Sequence, residues 1–284
     1  MLKIKPIENL EEISQLKQAY FAQSTAPLDG MWHFGFVPMS AHFGFYEQEL
    51  AQERLVGYCC INADGYMLQF YLDDGAKIDA KELFTLIAEQ NSIVIGDVKG
   101  AFVSTAEPQY LSLCLDNSSV FKVNSLMYKQ TKHDAQNKPN EFELKRAEPE
   151  QLNTFVAFAV TNIGAPEQWL SGYYGNLINR KELFGYWSEG ELLATGECRL
   201  FDEYQTEYAD LGMIVAQSQR GKGIATQVLN WLVSAANDRG LTPICSTESD
   251  NLGAQKAIKR AGLEPLNRIV QIEFGHSETD QISS

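Results

Sequence analysis

The sequence predicts a mixed α/β fold, strands in a sheet flanked by helices, repeated in two similar halves. Three observations carry this. Apolar alternation of period two and apolar recurrence at i, i+4 take turns along the C-terminal half, after an opening hairpin. The polar stretch KQTKHDAQNKPNE at 129–141 has Ala135 as its one apolar residue and falls near the midpoint of the 284-residue chain, as a linker between two domains of ordinary size would. Residues also recur between the halves. At an offset of 139, Pro27 matches Pro166, Gly57 matches Gly196 and Cys59 matches Cys198; at 142, Ser104-Thr105 matches Ser246-Thr247. The order is the same in both halves, which favours duplication. The expected division is a first domain at 1–130, a linker at 131–141, a second domain at 142–275 and a polar tail at 276–284.

Each half opens with a short strand, Leu2–Lys5 and Phe142–Ala147, then turns acidic and helical, then aromatic around Trp32 and Trp169. The central strand of the first half is Tyr66–Leu72. In the second half, Glu150–Asn162 and Glu167–Arg180 read as helices. Leu183–Ser188 and Glu191–Leu200 read as strands joined by the tight turn Glu189-Gly190. Tyr208–Ala216 is a strand with Leu211, Met213 and Val215 alternating on one face. Gly223–Arg239 is a helix whose face carries Ile224, Val228, Leu232 and Ala236, widened by Ala225, Leu229 and Val233, and Gly240 is placed to end it. A short strand Pro243–Thr247, a helix Asn251–Ala261 and a last strand Asn267–Phe274 complete the half.

Composition narrows the function. A formal charge of −14 disfavours nucleic acid, whose phosphates need a basic footprint. It suits either a cationic ligand such as an amine or plain solubility. No apolar run approaches the roughly 20 residues that span a bilayer. The opening Met-Leu-Lys-Ile-Lys-Pro lacks the apolar core of a secretory signal, so neither membrane nor secretion is expected and a cytoplasmic location is. Cys59, Cys60, Cys114, Cys198 and Cys245 show no Cys-x-x-Cys spacing and sit in apolar runs. They read as buried thiols in a reducing compartment, and no metal site is expected. The sequence leaves the oligomeric state open.

The chemistry concentrates at RGKGIATQVLNWL, residues 220–232. The first N–H groups of a helix lack internal partners, and the dipole adds positive charge there. Gly221 and Gly223 let a ligand approach the backbone, and Arg220 and Lys222 add charge. Together these suit a pyrophosphate. The spacing is neither a Walker A loop nor Gly-x-Gly-x-x-Gly, since Lys222 stands between the glycines and Thr226 ends the run. Alone, the stretch reads equally as a glycine turn that caps a helix.

Tyr208–Leu263, about 55 residues, resembles the acyl-CoA-binding core of the GCN5-related N-acetyltransferase (GNAT) superfamily. Arg220-Gly221-Lys222-Gly223-Ile224-Ala225 matches its Arg/Gln-x-x-Gly-x-Gly/Ala signature between a strand and a helix. Asn251-Leu252-Gly253-Ala254 and Gly262-Leu263 match its following Asn-x-x-Ala/Ser and Gly-Phe positions, with Leu for Phe. The resemblance implies two GNAT-like domains, each a central, mostly antiparallel sheet flanked by helices. It implies that backbone N–H groups across Arg220–Ala225 hold the CoA pyrophosphate. Met213, Ile214 and Val215 would pair with the pantetheine arm like an added strand, one N–H there serving as an oxyanion donor. Asn251 would reach the same arm. An acceptor amine would attack acetyl-CoA directly, without a covalent enzyme intermediate.

The pattern departs in one place. Many members carry a Tyr seven residues after the Asn to protonate the departing thiolate; here Ile258 stands there. Either a thiol of pKa near 8.5 leaves unaided, or Tyr204, Tyr208 or a water serves, or activity is lost. An amine must shed a proton before attack. Candidate bases are Asp210, Glu207, Glu197, Glu248 and Asp250, with Asp210 and Glu248 preferred, although each also reads as a solvated surface carboxylate. His133 and His276 fall in the linker and tail. The aromatic segment around His33 and His42, and likewise Trp169, Tyr173 and Tyr174, either walls an acceptor pocket or is packed core.

The first half fails the same test. After Tyr66–Leu72 come Asp73-Asp74-Gly75-Ala76-Lys77, whose carboxylates would repel a pyrophosphate, and Gln109 and Ser112 replace the Asn-x-x-Ala pair. This half is expected to resemble the fold without binding the cofactor, and to stabilise the other half or cover its cleft. The expected activity is an acyl-CoA-dependent N-acyltransferase that acetylates a primary amine of a small molecule. The alternatives are a protein N-acetyltransferase and a non-catalytic acyl-CoA-binding or interaction module.

Overall fold

A computed structural model describes residues 2–49, 52–131 and 142–275. Most of the expected linker, with His133, and the expected tail, with His276, lie outside the described residues. The chain divides into two units, Met1–Leu126 with Asn267 onward, and Met127–Leu266.

The first unit runs β1 (Leu2–Ile7), α1 (Ser14–Gln23), β2 (Ala41–Glu49), β3 (Gln52–Ile61), β4 (Tyr66–Leu72), α2 (Ala80–Ala88), β5 (Gly100–Ser104), α3 (Pro108–Asp116) and the first part of β6 (Ser118–Gln130). The second holds the end of β6 and β7 (Lys145–Arg146), α4 (Leu152–Ile163), α5 (Glu167–Asn179), β8 (Leu183–Ser188), β9 (Glu191–Leu200), β10 (Tyr208–Val215), α6 (Ile224–Asn237), β11 (Thr242–Glu248), α7 (Leu252–Arg260) and the start of β12 (Leu263–Phe274). The bulk of β12 belongs to the first unit, where Ile269–Glu273 pair antiparallel with Gly100–Ser104. This departs from the expected division, which kept Asn267–Phe274 with the second domain. Period-two patterning identifies a strand but not the sheet that takes it.

In each unit antiparallel pairs lead to one parallel pair. The first unit runs β1-β2-β3-β4 antiparallel, then β4 and β5 parallel. The second runs β7-β8-β9-β10 antiparallel, then β10 and β11 parallel. The parallel registers agree at the 142-residue offset: Tyr66 opposes Gly100, and Tyr208 opposes Thr242.

Local chemistry explains the elements. The β8–β9 turn has Glu189 at φ 52° and Gly190 at φ 82°, the paired left-handed conformation that matches strand twist in two-residue hairpins. Helix α6 buries Val228, Leu229, Leu232, Val233 and Ala236, the stripe its sequence period requires. The cysteines are buried and unbridged. Phe142–Ala147 forms ladder pairs at Lys145 and Arg146 alone, while Phe142 stacks on Tyr186 with ring centroids 4.4 Å apart. The segment around Trp32 and His33 is a π-helical turn, Met31–Phe36. It packs Trp32 on Phe102 at 4.7 Å and places His33 against Gln69 at 2.8 Å, so it is packed core within the first unit. Burial lowers His33 to about 3 and His42 to about 4, keeping both neutral.

The two glycines matched at offset 139 sit under different constraints. A Cβ on Gly57 would lie 2.4 Å from the Tyr71 carbonyl oxygen, whereas one on Gly196 would meet the Leu144, Leu232 and Val228 side chains at 2.9 Å or more. Side chains can yield; a backbone carbonyl in a sheet cannot. Gly57→Ala is expected to lose about 1–3 kcal/mol of stability, and more than Gly196→Ala. Denaturant unfolding of both variants checks this, and equal losses would contradict it.

Candidate functional site

The second unit is open where its parallel pair ends. Strand β10 meets β11 at Tyr208, Ala209 and Asp210, yet stays paired with β9 through Val215. Among the described residues, one edge of β10 has no ladder partner beyond Asp210, so its backbone donors and acceptors face a wedge. The expected pantetheine-pairing residues Met213, Ile214 and Val215 are on this stretch, the first two half-buried and Val215 buried.

The wedge leads into the loop before α6. Gly221 has φ 78° and Gly223 φ 83°, and a Cβ at either would meet nothing within 4 Å. The glycines are needed for conformation and leave the backbone exposed. The earliest bond at the helix start runs from Gln227 N–H to the Gly223 carbonyl, 3.2 Å. The N–H groups of Ile224, Ala225 and Thr226 therefore have no acceptor within the helix.

The two cations of the loop are exposed, yet each donates to a group of the protein itself. Arg220 folds back, its Nη2 donating to the Asn162 carbonyl at 2.9 Å and its Nε to the Val215 carbonyl at 3.3 Å. Asn162 also accepts from Gln217 N–H at 2.8 Å. Arg220 thus ties the loop to α4 and to the end of β10. Lys222 donates to the Gln219 side chain at 2.8 Å. Asn251 caps α7, accepting from Ala254 N–H at 3.1 Å.

The preferred bases separate. Asp210 is 1% exposed and is gripped by Arg199, whose Nη2 lies at 2.8 Å and Nε at 3.2 Å. Glu248 is exposed at the end of β11, Asp250 is exposed just after it, and Glu207 is exposed just before β10. Tyr208 meets Lys129, which donates to its hydroxyl at 3.4 Å, at the far end of β10 from Val215. Ile258 is buried in α7.

A different cluster stands beside the wedge. Register pairs Asp210 with Arg199 and Gly212 with Glu197. Glu197 is 5% exposed. Its Oε2 accepts from the Tyr173 hydroxyl at 2.6 Å and from Arg199 Nη1 at 2.5 Å, and Nη1 also donates to the Tyr173 oxygen at 2.8 Å. Burial pushes the Tyr173 phenol up, so it stays a proton donor. Tyr173 stacks on Trp169 at 4.8 Å and 11°, which makes a half-buried aromatic wall. Two carboxylates against one guanidinium leave the cluster short of positive charge. Arg199 was not among the expected residues. Its signal was the charged pair Glu197-x-Arg199 within an apolar strand, since residues two apart share a face.

Residues 150–263 match the acetyltransferase (GNAT) family and residues 9–131 an acetyltransferase (GNAT) domain. A structure described as an acetyltransferase from the GNAT family of Colwellia psychrerythraea is 62% identical, with a TM-score of 0.90, over 96% of this chain and 100% of that one. The chain belongs to the GNAT acetyltransferase family, with two such domains in tandem. Two remote likenesses show the fold alone. A GCN5-related N-acetyltransferase from Sphaerobacter thermophilus has 11% identity and a TM-score of 0.63, over 100% of this chain and 98% of that one. A tandem GNAT protein from the clavulanic acid biosynthesis pathway has 14% identity and a TM-score of 0.61, over 98% and 100%. No curated protein sequence matches significantly. Among the described residues, no helix is long and apolar enough to cross a membrane.

Arg199 is the group that lets two buried carboxylates coexist. Arg199→Met should cost about 3–5 kcal/mol, because it leaves both charges buried and uncompensated. Chemical denaturation checks this, and a loss under about 1 kcal/mol would contradict the arrangement.

Proposed function

We propose that the second unit transfers an acetyl group from acetyl-CoA to the primary amine of a small molecule by direct attack. The observation that carries the reading is the wedge beyond Asp210 opening onto the left-handed glycine loop. An unpaired strand edge can accept an extended amide-bearing arm as an added strand. The open space at Gly221 and Gly223 and the unpartnered N–H groups at the start of α6 suit a pyrophosphate. The residues present therefore fit acyl-CoA, which when bound supplies the acyl group as a thioester.

The protein's own groups do the rest. The Arg220 N–H is already given to the Gln217 carbonyl at 3.3 Å, so backbone N–H groups across Gly221–Ala225 hold the anion, and Arg220 and Asn251 fix the loop and the α7 start in place. The edge at Met213, Ile214 and Val215 orients the arm. Glu197, beside Gly212 where that edge begins, offers an ammonium its counter-charge and takes up the proton, directly or through one water. Arg199 and Asp210 hold Glu197 in position, so Asp210 is a positioning residue and not the base. The Trp169–Tyr173 wall suits a cation with a flat or apolar body. Ile258 supplies no acid, and a thiol of ordinary pKa leaves without one at modest cost.

Thiol release from acetyl-CoA across a panel of small amines tests the reading. Release is expected with at least one amine, and Glu197→Gln should lower kcat about 100-fold or more. Gly223→Asp should weaken acetyl-CoA binding about tenfold or more, through both the strained φ and the added charge. Binding of CoA with no thiol release by any amine would favour a non-catalytic acyl-CoA-binding module, the reading that buried Ile258 also supports.

A further inference from the structure

The first unit has a wedge of its own. Strand β4 pairs with β5 at Tyr66 and Met67 alone, while β3 holds it through Leu72. Beside its unpaired edge, between the N-terminal ends of α2 and α3, lies a cleft of about 840 Å³. That is the size of a small-molecule pocket. Nothing in the reaction assigned to the second unit uses it.

Its chemistry is opposite to that of the 220–225 loop. Asp73, Asp74, Asp79, Glu107 and Asp116 line it against Lys77. Several donors that an anion would need are already taken or missing. The Asp79 carboxylate caps α2, accepting from Lys81 and Glu82 N–H at 2.9 and 3.1 Å. Helix α3 begins with Pro108, which has no N–H, and Glu107 precedes it. Asp73 accepts from Gly75 N–H at 2.7 Å inside the loop itself. A phosphate here would meet carboxylates at short range and find no cradle.

The rest of the lining favours a cation with an apolar body. Tyr20, Phe70, Tyr71 and Tyr110 contribute aromatic surface, the kind that attracts ammonium groups. The unpaired edge of β4 presents carbonyl oxygens as acceptors. On the floor, the Glu107 carboxylate accepts from the Tyr20 hydroxyl and from Ser104 N–H at 2.7 Å. Burial pushes Glu107 up to about 7 against the pull of those two bonds. A cation nearby would hold it ionised.

We propose that this cleft binds an organic ammonium ion with an apolar or aliphatic body, and that it does not take acyl-CoA. The site stands independently of catalysis in the second unit.

Calorimetric titration of the full chain tests it, with phenethylamine and spermidine as probes and CoA as the anionic comparison. Two variants alter cleft residues that belong to the first unit: Asp74→Lys reverses an exposed lining charge, and Ser112→Trp fills the space from α3. Each should weaken binding of at least one probe about tenfold or more, the effect of removing a close charge partner or the cavity itself. Melting temperature and CoA affinity should stay as in the unaltered chain. Failure of both probes to bind the unaltered chain overturns the proposal, as does amine affinity unchanged in either variant. Loss of CoA binding in Asp74→Lys would place the anion here and overturn it too. Absence of CoA binding from every form, with amine binding still sensitive to both variants, would sink the acyltransferase reading and leave this one standing.

Discussion

A hydrogen-bond ladder that stops early organises the second unit. Strands β10 and β11 share three register pairs and then part at Asp210 and Ile244. The backbone groups past that point cannot remain buried and unsatisfied, so the sheet must stay open to solvent or to a ligand along Met213–Val215. Everything around the opening accommodates it. Gly221 and Gly223 turn the chain through left-handed conformations, α6 begins where the loop delivers it, and Arg220 fastens the loop to the Val215 and Asn162 carbonyls. The cluster of Glu197, Arg199, Asp210 and Tyr173 sits at the apex, where the cross-strand register places acidic and basic groups face to face.

The same constraint, met with different residues, gives the first unit a different character. Its ladder also fails after two pairs. There the chain continues as Asp73-Asp74-Gly75-Ala76-Lys77, and the helix start is closed by Asp79. One unit leaves its helix N–H groups available, and the other satisfies them with its own carboxylate. An anion gains several weak contributions at the first site, each about 0.3–1 kcal/mol for dipole effects, and loses them at the second. In the proposed reading, the two units differ in ligand sign through a handful of loop residues.

Much of this was legible in the sequence, because the relevant signals are local. The β8–β9 hairpin follows from alternation and Glu189-Gly190, and the expected spans of both strands match those observed. The glycine loop and the buried face of α6 follow from spacing. Long-range choices were not legible. The strand at Asn267–Phe274 was recognisable, but its pairing with β5 depends on contacts more than 160 positions away in sequence. Phe142–Ala147 has strand composition, yet its ladder pairs are Lys145 and Arg146, with Ala147 N–H donating to the Leu183 carbonyl and the Phe142 ring stacked on Tyr186. The charges of Arg220 and Lys222 were visible and their direction was not. The sequence points to Asp210 as a base from its place at the start of the central strand; the partner that fixes it, Arg199, becomes apparent once β9 is laid against β10.

The number of acetyl-CoA molecules bound per chain at saturation tests most directly whether opposite loop chemistry separates the two wedges. Equilibrium dialysis should give one, since the second unit alone combines an unpaired strand edge with available helix N–H groups. Two per chain would show that the Asp73–Lys77 loop tolerates the pyrophosphate after all, and none would show that the open edge at Met213–Val215 serves something else.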